Sequence, residues 1–333
     1  MKKGIILAAL LASVSALGFS QTAWAVTDTA SWIAAVNGIR AAGNNKSHVI
    51  NVSGNVSIPP VTTDKDLPFG ELKGLTVTIQ GGGTLSPSNN GSVLRIPKEQ
   101  TIIVRNITLR GRENNGFFAV VYVDGGTFRM EDGSVITGNK GYNGGGVESY
   151  GTFIMNGGRI TGNEGSYGGG VYNRGDFTMN GGTISGNKGS GVYISWGSFT
   201  MTGGAISDNE GDGVRMLMYT NEFTMKGGTI SGNSGSGVIV GGGGSFTMQG
   251  GTISGNAGRG VDVPTGNNRF IKTGGTIYGR DAAANERNGT DDRFSSRYDG
   301  KGYAVYDSYE KRWRSITAGP NMNTDTYGFW LND

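Results

Sequence analysis

The chain of 333 residues contains no cysteine, only one histidine and seven prolines. Without cysteine there is no disulfide, no thiolate metal site and no lipid-modified amino-terminal cysteine. Charge of one sign is also scarce. The formal net charge is +3, and outside residues 1–25 the chain holds 27 basic against 26 acidic residues. A nearly neutral chain with mixed charges is a poor nucleic-acid binder, so no nucleic-acid partner is expected. Beyond the amino-terminal segment no apolar stretch is long enough to span a membrane.

That amino-terminal segment has the pattern of a secretory signal. Lys2 and Lys3 precede an apolar stretch from Gly4 to Phe19, and Ala23-Trp24-Ala25 fits an A-x-A cleavage site. Residues 1–25 are therefore expected to direct export to the periplasm, cell surface or medium, with cleavage after Ala25.

What the chain has in abundance is glycine, 63 residues. It is not a disordered glycine-rich polymer, because large apolar residues recur at fixed intervals. Phe128, Phe153, Phe177, Phe199, Phe223, Phe246 and Phe270 follow one another at 22 to 25 residues. A methionine stands two residues after each phenylalanine, until Lys272 takes its place in the last copy. Isoleucines recur at 136, 160, 184, 206, 230, 253 and 277, and valines at 147, 171, 192, 214, 238 and 261. A constant period of this length marks stacked repeats. Within one copy, Phe-Thr-Met, Thr-Ile-Ser and Val-Tyr-Ile alternate apolar and polar residues, the signature of short strands. Gly-Gly and Gly-Asn pairs between them favour turns. Each unit is then three strands and three bends. It gains backbone partners only by stacking on its neighbours about 4.8 Å away.

The unit length, the strand-turn order and an asparagine after each Thr-Ile-Ser strand carry a resemblance to a known family. Those asparagines are Asn139, Asn163, Asn187, Asn209, Asn233 and Asn256. The chain resembles the right-handed parallel β-helix proteins of the pectate-lyase-like superfamily, over about residues 46–280. The resemblance implies an all-β, single-stranded right-handed parallel β-helix solenoid of about nine or ten coils, with the asparagines stacked as an internal ladder. Asparagine suits such a bend because it tolerates the left-handed conformation. Phe177, Met179, Ile184 and Val192 are expected to point inward, and the variable fourth position (Asn180, Lys226, Gln249) to face water.

The ends differ from the repeat. Residues 26–45 are expected to hold a capping helix, with Trp32, Ile33, Val36 and Ile39 on one face and Gly43 as its stop. The runs 48–58, 75–85 and 101–111 read as earlier, irregular coils. Residues 281–333 read as a carboxy-terminal cap that resembles the tails of some secreted bacterial β-helix repeat proteins.

No constellation for catalysis stands out. The resemblance makes a polysaccharide lyase or hydrolase the natural enzyme alternative, but Gly-His-Gly and Arg-Ile-Lys motifs are absent. Asn323-Thr324-Asp325 and Asp291-Asp292 lie beyond the coils. No cofactor is expected. Asp208, Glu210 and Asp212 form a weak calcium-loop pattern, with Tyr219 where a bidentate glutamate would complete it. The residues one step after each valine, Glu148, Tyr172, Tyr193, Arg215, Ile239 and Asp262, should form an outward column, with Trp196 and Tyr219 in the following bends. Aromatic faces flanked by polar groups suit sugars or protein partners. Glu148, Tyr172, Tyr193, Trp196, Arg215 and Tyr219 are accordingly the expected ligand-binding residues. The expected role is an exported binding or adhesion module for a polysaccharide or protein ligand.

Overall fold

The computed structural model describes residues 22–217, 221–263 and 268–277, together with strand backbone at Tyr298–Asp299, Tyr303–Asp307, Arg312–Ile316 and Gly328–Phe329. The chain winds into a parallel β-solenoid of about ten turns with three faces. One face is an eleven-stranded sheet built on the phenylalanines, the second an eleven-stranded sheet built on the isoleucines, and the third an eight-stranded sheet built on the valines. Pairing is in register from coil to coil. Phe177 lies on Phe153 and Phe199, Ile184 on Ile160 and Ile206, and Val192 on Val171 and Val214.

Alternation decides which side chains enter. In Asp176–Met179 and its equivalents the second and fourth residues point inward and are fully buried, while the third stays half-exposed. The inward phenylalanines stack with centroids 4.5–4.9 Å apart from Phe153 to Phe270. That separation is the strand spacing itself. Each such side chain removed from water contributes roughly 1.5–3 kcal/mol. Asn180, Lys226 and Gln249 are exposed at the following bend. The second glycine of each Gly-Gly pair is required twice over. Gly204 and Gly228 have φ of 83° and 85°. A Cβ on Gly228 would also come 2.6 Å from the Met201 Cε packed beneath it.

The asparagine ladder forms as expected. Nδ2 of Asn187 donates to Oδ1 of Asn209 at 3.0 Å, Asn209 to Asn233 at 2.9 Å, and Asn233 to Asn256 at 2.9 Å. It also reaches one coil further than its Thr-Ile-Ser context suggests, because buried Asn115 donates to Asn139 Oδ1 at 2.8 Å. The left-handed residue is not the asparagine but the one before it. Gly162, Gly186 and Gly232 have φ near 65°, and Asp208 takes the same conformation at 56°. The asparagine that follows bonds through its amide to the asparagine of the next coil.

The helix at the start, Thr29–Ala42, has Asp28 as its N-cap in a capping box and stops at Gly43 with φ 79°. Trp32, Ala35, Val36 and Ile39 are buried against the first coil. Ile33 is 43% exposed, contrary to its expected place on the buried face. A step of one residue from Trp32 turns it about 100° away, and Ala35 fills the stripe instead. Ahead of the helix, Thr22–Val26 pairs in parallel with Ser47–Val52, so the expected processing point after Ala25 falls inside a strand. The runs read as early coils carry the strand pairs Ser47–Val52 and Asn55–Ile58, Leu75–Gln80 and Thr84–Pro87, and Gln100–Val104 and Thr108–Arg110. At the other end Tyr298–Asp299 adds antiparallel to Thr276–Ile277. Most of the expected cap, including Asp291-Asp292 and Asn323-Thr324-Asp325, lies outside the described residues.

Candidate functional site

The bend between the ladder asparagine and the valine strand varies in length, and this variation builds the site. Nine residues separate Thr137 from Val147 and Thr161 from Val171, but only six separate Ser185 from Val192. The extra residues place Tyr142 and Tyr167 on the outside of the valine sheet. The corresponding bend one coil earlier carries Phe117.

These three aromatics form a ridge running along the rod. Phe117 meets Tyr142 edge-on at 5.5 Å, and Tyr142 meets Tyr167 at 6.3 Å. Tyr167 then lies over Tyr172 at 6.0 Å and Tyr193 at 5.1 Å. The expected outward column is therefore present but mostly covered. Tyr172 is 7% exposed, Tyr193 2% and Glu148 4%. Tyr172 and Tyr193 stack at 5.6 Å and serve as a floor, so they do not present a free face. The accessible aromatic surface is Phe117, 74% exposed, and Tyr142, 49% exposed.

The column also extends upstream. Arg95 pairs with Tyr122, and Tyr122 with Glu148, on successive rungs. Glu148 is the centre of this group. Its Oε1 accepts from Asn143 Nδ2 at 3.0 Å and from the Tyr150 hydroxyl at 3.2 Å. Burial pushes its carboxyl above the ordinary glutamate range, and those two hydrogen bonds only partly offset that push. Burial likewise raises the Tyr122 and Tyr150 phenols. Arg174 lies over the Tyr150 ring at 5.0 Å, and Arg95 over Tyr122 at 4.8 Å. Arg95 is bound by two carboxylates, Asp64 and Asp124, the latter at 2.9 Å.

Two cavities flank the Phe117–Tyr142 pair. The larger, about 580 Å³, is lined by Asn90, Asn114, Lys140, Tyr142, Glu164 and Lys188. Glu164 bridges the two lysines at 2.8 and 3.5 Å. The smaller, about 200 Å³, lies between the turn at Val61–Thr62 and the Phe117–Phe118 bend, with Arg95, Tyr122, Asn143 and Glu148 in its walls.

The other expected site residues lie apart. Trp196 is 49% exposed and borders a separate cavity of about 430 Å³ with Asp176 and Glu222. Arg215 is tied to Asp212 at 2.9 Å. Tyr219 lies outside the described residues. The calcium-loop pattern does not assemble: Asp208 and Glu210 are exposed, whereas Asp212 is buried, turned to Arg215 and the Ser236 amide. Among the described residues no cluster of three acidic or histidine side chains is placed to hold a metal ion. Burial raises the Asp212 carboxyl, and the Ser236 amide and Arg215 partly offset that push.

Sequence reasoning missed Phe117, Tyr122, Tyr142, Asn143, Tyr150 and Tyr167. A signal existed for some of them. Extending the valine column upstream to Val121 and Leu94 reaches Tyr122 and Arg95. The two copies that lengthen the bend before Gly-Gly-Gly-Val are the ones that carry Tyr142 and Tyr167 there. Phe117 lies in a bend with no repeat register and left no such signal.

Residues 170–308 match the family profile described as the right-handed beta helix region. No curated protein and no solved structure matches the chain. The matched span, the in-register parallel rungs and the asparagine ladder give this chain the fold of a right-handed parallel β-helix.

Proposed function

We propose that the chain is an exported binding or adhesion module that takes a glycan or protein ligand on the ridge formed by Phe117, Tyr142 and Tyr167. The carrying observation is the exposure of Phe117 and Tyr142 between two cavities whose walls supply amides, hydroxyls and charged groups. An aromatic face bordered by hydrogen-bonding groups is the arrangement that holds a sugar ring or an extended peptide, because it offers apolar area and directional contacts together. Tyr172 and Tyr193 support the ridge from below, Glu148 and its partners line one end, and Trp196 supports a second contact point further along the rod. A glycan array, followed by titration of Tyr142→Ala and Tyr167→Ala against any glycan retained, tests this. Undiminished binding by the double variant removes the ridge as the site.

A second reading, a carbohydrate-active enzyme with an unfamiliar site, is favoured by one observation: a buried glutamate beside a cavity, held toward its neutral form and bonded to a tyrosine. Such a group can act as a general acid. Turnover of a polysaccharide, lost in Glu148→Gln, would establish catalysis in place of binding.

Export rests on the basic start and apolar run of residues 1–25. Sequencing the amino terminus of the processed protein tests it. A start at Val26 would leave only the last residue of the Thr22–Val26 strand on the first coil.

A further inference from the structure

We propose that the smaller cavity, between the Val61–Thr62 turn and the Phe117–Phe118 bend, is a subsite for a single uncharged sugar ring, with Phe117 and Tyr122 as its apolar walls and Glu148 Oε2 as the hydroxyl-binding group. This inference rests on the glycan reading of the ridge and names the ligand class at one of its ends.

Three observations carry it. The first is size. At about 200 Å³ the cavity is smaller than the ~300 Å³ at which sites for drug-sized ligands begin, and suits one ring. The second is an unused polar atom. Glu148 is 4% exposed and lines the cavity, and both of its hydrogen bonds, from Asn143 and from Tyr150, end on Oε1. Oε2 makes no hydrogen bond among the described residues, although the carboxyl is locked in one orientation. An oriented carboxyl oxygen on a cavity wall with no protein partner is open to a hydrogen bond from a ligand hydroxyl. The third is charge. The one cation in the wall, Arg95, is matched by two carboxylates, Asp64 and Asp124. Arg174 is packed on the Tyr150 ring and donates to its hydroxyl at 3.4 Å. A carboxylated or sulfated sugar would therefore meet a guanidinium already shared by two carboxylates, which disfavours it. The larger cavity, with two lysines sharing one glutamate, lacks this bias.

The test uses the full chain and four probes: the methyl glycosides of glucose, galactose and mannose, and the methyl glycoside of galacturonic acid. Binding is followed by saturation-transfer NMR and by titration. At least one neutral glycoside is expected to bind, with the galacturonate weaker by about tenfold, the cost of an unmatched hydrogen-bonded charge. Phe117→Ala, at an exposed position that leaves the fold intact, should weaken the neutral glycoside by about fivefold, the loss of one aromatic contact. Glu148→Ala should weaken it by about tenfold, with thermal melting used to verify folding. Lys226→Ala, at an exposed bend of a later coil outside both cavities, should leave it within about twofold. Equal or tighter binding of the galacturonate, or neutral binding unchanged in Phe117→Ala, overturns the subsite. If oligosaccharides bind in a Tyr142-dependent manner while no methyl glycoside binds at Phe117, the subsite fails and the ridge stands. If no saccharide binds at all, both fail.

Discussion

The coils from Ser185 onward and those before it use the same three strands but differ in their bends. In the later half six residues lead from the isoleucine strand to the valine strand, and the cavity beside Trp196 lies instead at the bends that lead on to the phenylalanine strands. In the earlier half the bends are longer, the turn at Asp64–Asp66 adds a further excursion, and the two cavities beside Phe117 and Tyr142 lie there, the larger reaching Lys188 on the next coil. The later half is the more regular. From Phe153 onward the phenylalanines stack within 12° of parallel, whereas Phe128 and Phe153 are tilted by 21° and 5.3 Å apart. Regular coils supply a rigid rod because every inward residue meets its own kind. Loops of unequal length fold across the outside of the valine sheet, so the aromatic ridge and its two flanking cavities arise where the period is broken.

This division of labour can be broken most forcefully in the regular half. Ile184→Asp buries an unpaired carboxyl in a column where the native side chain is fully buried. It should cost at least about 3 kcal/mol, read as a drop in the denaturant midpoint. An unchanged midpoint would show that the regular columns do not hold the rod. Next in size, Gly228→Ala forces an alanine to φ 85° and drives its Cβ into the Met201 methyl. A loss of about 1–3 kcal/mol is expected by chemical denaturation, larger than for the same change at an exposed loop glycine such as Gly116, whose Cβ would meet nothing.

In the irregular half the sharper test is a pH profile. Burial raises the Glu148 carboxyl above 4.5, so the folded chain keeps a proton that the unfolded chain has released. Its contribution is fully present below 4.5 and is lost as pH rises through the folded value. Glu148→Gln removes this dependence while leaving an acceptor for Asn143 and Tyr150. The variant should match the parent in melting temperature at acidic pH and exceed it above neutrality. A parallel pair of curves would contradict the assignment. The smallest effect is expected at Asp208, the one non-glycine residue in the left-handed position before a ladder asparagine. Asp208→Gly should stabilise by about 0.5–1 kcal/mol, seen as a small upward shift in midpoint. A loss would mean that the Asp208 side chain contributes more than its backbone strain costs.

Much of the rod was legible because its rules are local and repeated. Phe177, Met179, Ile184 and Val192 alternate with polar neighbours, and copying that alternation every two dozen residues leaves stacking as the way to bury it. Asn187 was legible as a ladder member for the same reason, while Asn115 was not, since its coil lacks the Thr-Ile-Ser context. The sequence by itself determined which residues face into the rod, since strand pleating fixes inside and outside every second residue. Only the tertiary structure decided what happens outside. Tyr172, Tyr193 and Glu148 point outward as their spacing requires, yet they are covered, while Phe117 and Tyr142 are open. Covering from outside depends on how far a bend in one coil folds across its neighbours. Period and pleat carry no information about that reach.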